Sequence, residues 1–135
     1  MRASGTFTVA EFTPAPVPEG DVKTAAGVGV ATMRKEFRGE VAGRADTLFT
    51  AAFDQVTGVG TYLAMESFAG TLGGAEGTFN FAHSATTLGV ARDDEYFVIV
   101  PGSGTGALVG ITGTGSIVID EDGTHRIHLD YELPA

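Results

Sequence analysis

An alternation of apolar and polar residues with a period of two runs through most of this chain, and it limits the possible folds more than any other feature. In Ser4–Phe12, for example, Phe7 and Val9 share one face, while Thr6 and Thr8 share the other. This period is typical of β-strands with one buried face. The sequence therefore predicts an all-β protein with little or no helix.

Turn residues divide the pattern into about eight strands. After Ser4–Phe12, strands are predicted at roughly 24–38, 40–53, 58–70, 76–87, 95–100, 109–119 and 125–133. The Asp122-Gly123 pair between the last two is a hairpin signal. The segment Arg44–Val56 also has apolar residues at helical spacing, but its threonines and the glycines before it favour a strand.

Glycine is abundant, with 20 glycines in 135 residues, and many lie inside the apolar alternation. Glycines within strands mark bulges and sharp bends, which curved sheets need. A sandwich and a closed barrel both fit eight short strands, but closure removes exposed sheet edges. We therefore predict a single domain over residues 1–135, a closed antiparallel barrel of about eight strands whose interior can hold one small ligand.

Charge and composition exclude several classes of function. The net charge of −9 argues against nucleic acid or an anionic membrane as a partner, because both select a basic surface. The absence of cysteine excludes disulfides, thiolate metal sites and a cysteine nucleophile. The N-terminus lacks the apolar core of a signal peptide, and no run of apolar residues is long enough to span a membrane. We expect a cytoplasmic protein.

Two motifs that suggest cofactors do not hold up. The run GSGTGA at residues 102–107 matches a dinucleotide fingerprint, but LVGITGTGSIVI follows it and is a poor helix, so a turn or a rim loop is predicted at Pro101–Gly106. His125 and His128 are three residues apart, which places them on opposite faces of a strand and makes joint metal ligation awkward. We expect no cofactor and no metal.

The stretch FAGTLGGAEGTFNFAH, residues 68–83, connects an acid to a histidine. Glu66 shares a strand face with Tyr62 and Phe68, and His83 shares a face with Phe79 and Phe81. A turn at the central glycines, with the help of a bulge, would make Glu66 and His83 diagonal neighbours. Buried charged groups are usually paired or have a shifted pKa, so the two residues are either a catalytic pair or a structural one. A third possibility is that Glu66 faces solvent.

The motifs ASGTF, ESFAGTLGGAEGTF, VPGSGTGALVGITGTG and LDYEL together resemble an uncharacterised bacterial family, one of the domains of unknown function. The resemblance covers Ala3–Leu133, and the fold of this family is similar to the allene oxide cyclase barrel. It implies an eight-stranded antiparallel barrel with a partly apolar cavity, and it implies no reaction. Phe12 stands where the family often has tryptophan, a change that could alter the pocket.

These observations lead to one expected function and two alternatives. The barrel is expected to enclose an apolar organic ligand, as a cofactor-free cyclase, isomerase or lyase in which Glu66, with a raised pKa, and His83 act as acid and base. The ligand cavity would be lined by aromatic residues: Phe12, Tyr62, Phe68, Phe79 and Phe81. The alternatives are a binding protein for a hydrophobic small molecule, and an oligomerising module whose barrel is filled by its own side chains. The sequence does not decide whether the chain forms a homo-oligomer.

Overall fold

A computed structural model describes residues 1–18 and 20–135 of the chain. Eight strands form one closed barrel in which each strand pairs antiparallel with the next and β1 pairs with β8. The strands are β1 Arg2–Ala15, β2 Val28–Gly39, β3 Val41–Asp54, β4 Val59–Leu72, β5 Ala75–Leu88, β6 Ala91–Ile99, β7 Thr112–Ile119 and β8 His125–Glu132. The predicted closed barrel is confirmed, and so is the strand assigned to Arg44–Val56, since β3 spans most of it.

Helix is almost absent from the described residues. One single-turn 3-10 helix, Gly106–Leu108, begins inside the GSGTGA run, so this run does not lead into an α-helix that could hold a pyrophosphate. Residues 101–105 form a turn and an irregular loop, so the predicted turn or rim loop is confirmed up to the start of this helix. Among the residues that the structure describes, no helix is long and apolar enough to cross a membrane.

The two ends of the barrel differ. At the end of the barrel that holds the turn between β4 and β5, the loop between β6 and β7 folds over the opening and buries Leu108 and Ile111 completely. Below them the interior is packed with apolar side chains, of which the largest that are fully buried are Phe68, Phe79, Phe81, Leu72, Ile99, Ile127 and Leu129. Burial of apolar surface on this scale is the main stabilising term. The opposite end, where β3 meets β4, is not packed in this way.

A bulge in β1 changes which residues face the interior. Val9 pairs with Lys35 and Glu11 pairs with Arg34, so β1 has one more residue than β2 between these two pairs. The extra residue reverses the alternation along β1. Phe12, which the strict period would place opposite to the inward-facing Phe7, therefore also faces inward.

A second bulge, in β6, has the same effect. Ser84 pairs with Tyr96, and Thr86 pairs with Asp93, so β6 has one more residue than β5 in this interval. Asp94 lies in the bulge with a φ of 55°, a left-handed conformation that aspartate tolerates better than most residues. As a result, Arg92 lies on the inner side of the barrel, opposite Thr87.

Gly70 allows the backbones of the paired strands β3 and β4 to approach closely. A Cβ atom at this position would lie 2.0 Å from the carbonyl oxygen of Ala42, a backbone atom that cannot rotate away. We expect Gly70→Ala to lower the free energy of unfolding by about 3 kcal/mol, the upper part of the usual range for overpacking. Urea denaturation measures this, with Gly29→Ala as the control because no atom lies within 4 Å of its added Cβ. Equal stabilities of the two variants would contradict the close approach of the two backbones.

Candidate functional site

A buried carboxylate lies at the centre of a polar network inside the barrel. Glu66 on β4 is fully buried and accepts three hydrogen bonds. Its Oε2 is 2.5 Å from Nζ of Lys35 on β2 and 2.6 Å from Nε2 of His83 on β5. Its Oε1 is 2.5 Å from Oγ1 of Thr47 on β3. Four neighbouring strands thus each contribute one side chain.

Strand register explains why the acid and the histidine meet. A two-residue turn at Gly73 and Gly74 joins β4 to β5, and it places Glu66 opposite Phe81 and Ala64 opposite His83. Glu66 and His83 are therefore diagonal neighbours on the inner face of a regular ladder, with no bulge between them. The structure places both side chains inside the barrel, so the alternative in which Glu66 faces solvent is wrong.

The network continues from His83 toward the open end of the barrel. Nδ1 of His83 is 2.8 Å from the hydroxyl of Tyr62, and Nη2 of Arg92 donates to the same hydroxyl at 2.7 Å. Arg92 also donates to Oε2 of Glu95 at 3.0 Å. An unbroken chain of hydrogen bonds therefore joins the buried Glu66 to Tyr62. Among the described residues, Nε of Arg92 is the buried side-chain nitrogen that has no hydrogen-bond partner.

The pKa of Glu66 differs from the expectation. Burial by itself raises the pKa of this carboxyl, but the hydrogen bond from His83 and the charge of Lys35 outweigh burial and hold the pKa below its usual value. The predicted rise in the pKa of Glu66 is therefore wrong, because the apolar pattern around Glu66 did not reveal the ammonium group beside it. Glu66 is a carboxylate at neutral pH.

His83 is neutral at neutral pH. Burial lowers the pKa of its imidazole, the nearby charge of Lys35 lowers it further, and the hydrogen bond to Glu66 opposes both without reversing the shift. A carboxylate can only accept hydrogen bonds, so the proton of the neutral ring must be on Nε2, facing Glu66. Nδ1 is then an acceptor, and the hydroxyl of Tyr62 donates to it.

Tyr62 is consequently fixed in one orientation. Its O–H bond points at Nδ1 of His83, while its oxygen accepts from Arg92. Burial raises the pKa of the Tyr62 hydroxyl, and Arg92 partly opposes this rise. Tyr62 is therefore a neutral phenol at neutral pH, with an acceptor for its proton and a cation beside its oxygen.

A pocket of about 480 Å³ lies at the open end, and Tyr62 is part of its wall. Phe49 stacks on the ring of Tyr62 with the ring centroids 5.4 Å apart, and Phe12 meets Phe49 edge-on at 6.2 Å. Phe12 and Phe53 at the mouth are 57% and 42% exposed, which is unusual for phenylalanine and indicates a surface that a ligand could cover. The rest of the wall is mainly small or apolar: Pro14, Gly27, Gly29, Val30, Ala31, Ala51, Gln55, Gly60, Thr61 and Thr87.

Only part of the predicted ligand-lining set lies on this pocket. Tyr62 and Phe12 line it, the latter because of the β1 bulge. The pocket is not lined by Phe68, Phe79 or Phe81, so the prediction that these three residues contact the ligand is wrong. They fill the closed half of the barrel, where they pack on one another with ring centroids 5.1 and 5.9 Å apart. Phe81 also stacks on the His83 ring at 5.8 Å, and so it supports the network from below.

Comparison with known proteins assigns the chain to a family. The profile of a family described as "Protein of unknown function (DUF3224)" matches residues 3–131. The chain belongs to the DUF3224 family. Among the solved structures that it resembles is a crystal structure of a DUF3224-family protein with unknown function from Shewanella oneidensis MR-1. The two have a TM-score of 0.86 and 28% sequence identity, over 100% of this chain and 98% of that chain.

No curated protein matches this DUF3224 chain. The predicted membership of a bacterial family of unknown function is confirmed by the profile match and the structural neighbour. The likeness to allene oxide cyclase stays a prediction.

Four residues of the network were not predicted from the sequence: Lys35, Thr47, Arg92 and Glu95. Lys35 had a detectable signal, because it shares an inward face with Met33 and Phe37, an unusual setting for a lysine. Arg92 had none, since the β6 bulge places it inside against the strict alternation.

The other two histidines lie apart from the network. His125 faces inward against the ring of Phe7, with centroids 5.2 Å apart, whereas His128 is on the outer face and hydrogen bonds to Ser4. The described residues contain no group of three or more acidic or histidine side chains that could hold a metal ion. That the protein works without metal or cofactor stays a prediction.

The Lys35–Glu66 pair can be tested through stability. Lys35→Met would leave the Glu66 carboxylate buried without a counter-charge, so we expect the free energy of unfolding at pH 7 to fall by about 3–5 kcal/mol. Urea denaturation measures this loss, and Lys23→Met, at an exposed loop lysine, is the control. The double variant Lys35→Met/Glu66→Gln removes both charges and should recover most of the loss. A single variant as stable as the control would contradict the buried ion pair.

Proposed function

We propose that this DUF3224 barrel binds an apolar organic molecule at its open end and transfers a proton on it, as a cofactor-free isomerase, cyclase or lyase. The observation that carries the proposal is the hydrogen-bonded chain from Tyr62 on the pocket wall through His83 to Glu66. This arrangement follows the logic of catalytic triads, in which a reacting hydroxyl contacts a histidine that a buried carboxylate orients.

The proton transfer uses two linked steps. The oxygen of Tyr62 takes a proton from an acidic position of the ligand, while the hydroxyl proton of Tyr62 passes to Nδ1 of His83. His83 becomes an imidazolium, which the Glu66 carboxylate stabilises, and the ligand carries the negative charge. Return of the proton to a different ligand atom reverses both transfers and leaves an isomer of the starting molecule. No group of the protein is consumed.

The residues of the network have different roles in this proposal. Tyr62 contacts the ligand and is the catalytic residue. His83 holds the transferred proton, and the charge of Arg92, whose Nη2 is 2.7 Å from the Tyr62 oxygen, favours the phenolate-like state that forms during transfer. Glu66, predicted from the sequence as the direct acid or base, becomes a positioning residue because it is fully buried and does not line the pocket.

The pocket wall supplies the remaining requirement, which is control of ligand shape. Aromatic rings and small residues leave a space of defined form, and such a wall favours those ligand conformers that place an acidic hydrogen near Tyr62. The apolar lining also favours organic ligands over polar metabolites. We keep the cytoplasm as the expected compartment.

A second candidate function is a binding protein without chemistry. The observation that favours it is the completeness of the inner network, in which Glu66 already has three partners. Buried polar networks of this kind often serve to specify the fold. The two functions differ in whether a bound ligand exchanges its acidic hydrogens.

Hydrogen exchange on a bound ketone separates the two functions. 2-Tetralone is a neutral, apolar cyclic ketone with activated C–H groups, and its exchange in D₂O can be followed by proton NMR. We expect the wild-type protein to accelerate exchange over buffer. Tyr62→Phe removes the hydroxyl and His83→Phe removes the proton acceptor, and each should reduce the catalysed rate by about 100- to 10,000-fold.

Tyr96→Phe is the matched control, because Tyr96 is 58% exposed on the outer face of β6. It should exchange 2-tetralone at the wild-type rate. Binding of 2-tetralone by the wild type without faster exchange would contradict proton transfer and support the binding protein. Retention of the wild-type rate by Tyr62→Phe would contradict the assigned catalytic residue.

A further inference from the structure

The hydrogen-bonding capacity of Tyr62 limits what a ligand can present to it. A phenol has one proton to donate and two lone pairs that accept. The proton is directed at His83 and one lone pair is occupied by Arg92. One lone pair is left, so toward a ligand Tyr62 acts as an acceptor.

The charges around the pocket are already matched in pairs. Lys35 is paired with Glu66 at 2.5 Å, and Arg92 is paired with Glu95 at 3.0 Å. None of the described residues that line the pocket is charged. An anionic ligand would therefore bury a charge without a partner, in a chain whose net charge is already −9.

We propose that the pocket selects a neutral, apolar molecule whose polar group is a hydrogen donor placed on the oxygen of Tyr62. Phenols, enols and apolar alcohols have this chemistry, whereas fatty acids and other carboxylates do not. The wall also favours a flat ring system, because four aromatic rings line it: Phe12, Phe49, Phe53 and Tyr62. The inference rests on the proposed function in using the same pocket and the same orientation of Tyr62.

Three naphthalene compounds of similar size test this selection: 2-naphthol, 2-methoxynaphthalene and 2-naphthoate. The first is a neutral donor at pH 7, the second is neutral without a donor, and the third is an anion. Titration calorimetry or ligand fluorescence gives the three dissociation constants. We expect 2-naphthol to bind about fivefold more tightly than 2-methoxynaphthalene, the worth of one net hydrogen bond. We expect 2-naphthoate to bind at least about tenfold more weakly than 2-naphthol, because its charge lacks a partner.

Two variants assign these preferences to the pocket. Tyr62→Phe should make 2-naphthol and 2-methoxynaphthalene bind equally, while circular dichroism shows that the barrel is intact. Ala51→Phe, which fills the pocket from β3, should weaken all three compounds by about tenfold or more.

The possible failures are distinct. Equal binding of 2-naphthol and 2-methoxynaphthalene by the wild type, a preference that survives Tyr62→Phe, or tight binding of 2-naphthoate would each overturn the donor selection and leave the proposed pocket standing. A wild-type protein that binds none of the three would overturn the pocket itself, and with it the proposed function.

Discussion

The ion pair between Lys35 and Glu66 determines the chemistry of the whole network. Two opposite charges 2.5 Å apart, both shielded from water, make a locally neutral unit. Burial and the nearby charge of Lys35 hold the pKa of His83 below its usual value, so His83 is neutral until it takes a proton from Tyr62. The ionised Glu66 then requires the His83 proton on Nε2, which leaves Nδ1 to accept from Tyr62. A lysine on β2 thereby sets the direction of a hydrogen bond at the pocket wall.

Two bulges shape the open end around this network. The bulge in β1 turns Phe12 inward to the pocket mouth, and the bulge in β6 turns Arg92 inward to the Tyr62 hydroxyl. Bulges are common near functional sites because they redirect single side chains. The closed end has no such requirement, and its regular alternation packs Phe68, Phe79 and Phe81 into a buried core.

Most of the fold could be predicted from the sequence, because strand period and turn residues are local signals. The pairing of Glu66 with His83 could also be predicted, since both lie on a single hairpin with a two-residue turn. The rest of the site depends on contacts between distant strands. Lys35 and Thr47 reach Glu66 only when β3 is paired with β4 and β2 is paired with β3. Because Lys35 was not recognised, the predicted direction of the pKa shift of Glu66 was wrong. Phe12 was assigned to the predicted ligand site only because the family often has tryptophan at this position. The bulge that brings Phe12 to the pocket cannot be recognised from the alternation of apolar and polar residues.

The protonation of His83 is the most direct measurement of the relay. In a protein labelled with ¹⁵N in its histidines, the side-chain nitrogen shifts distinguish an imidazolium from each of the two neutral tautomers. His125→Gln and His128→Gln variants assign the signals. At pH 7 the proposed relay requires a neutral His83 ring with its proton on Nε2, and this state should persist below pH 6.5, since burial lowers the pKa of His83 from that value. An imidazolium at pH 7, or a proton on Nδ1, would mean that Tyr62 cannot donate to His83, and the proposed proton transfer would be contradicted.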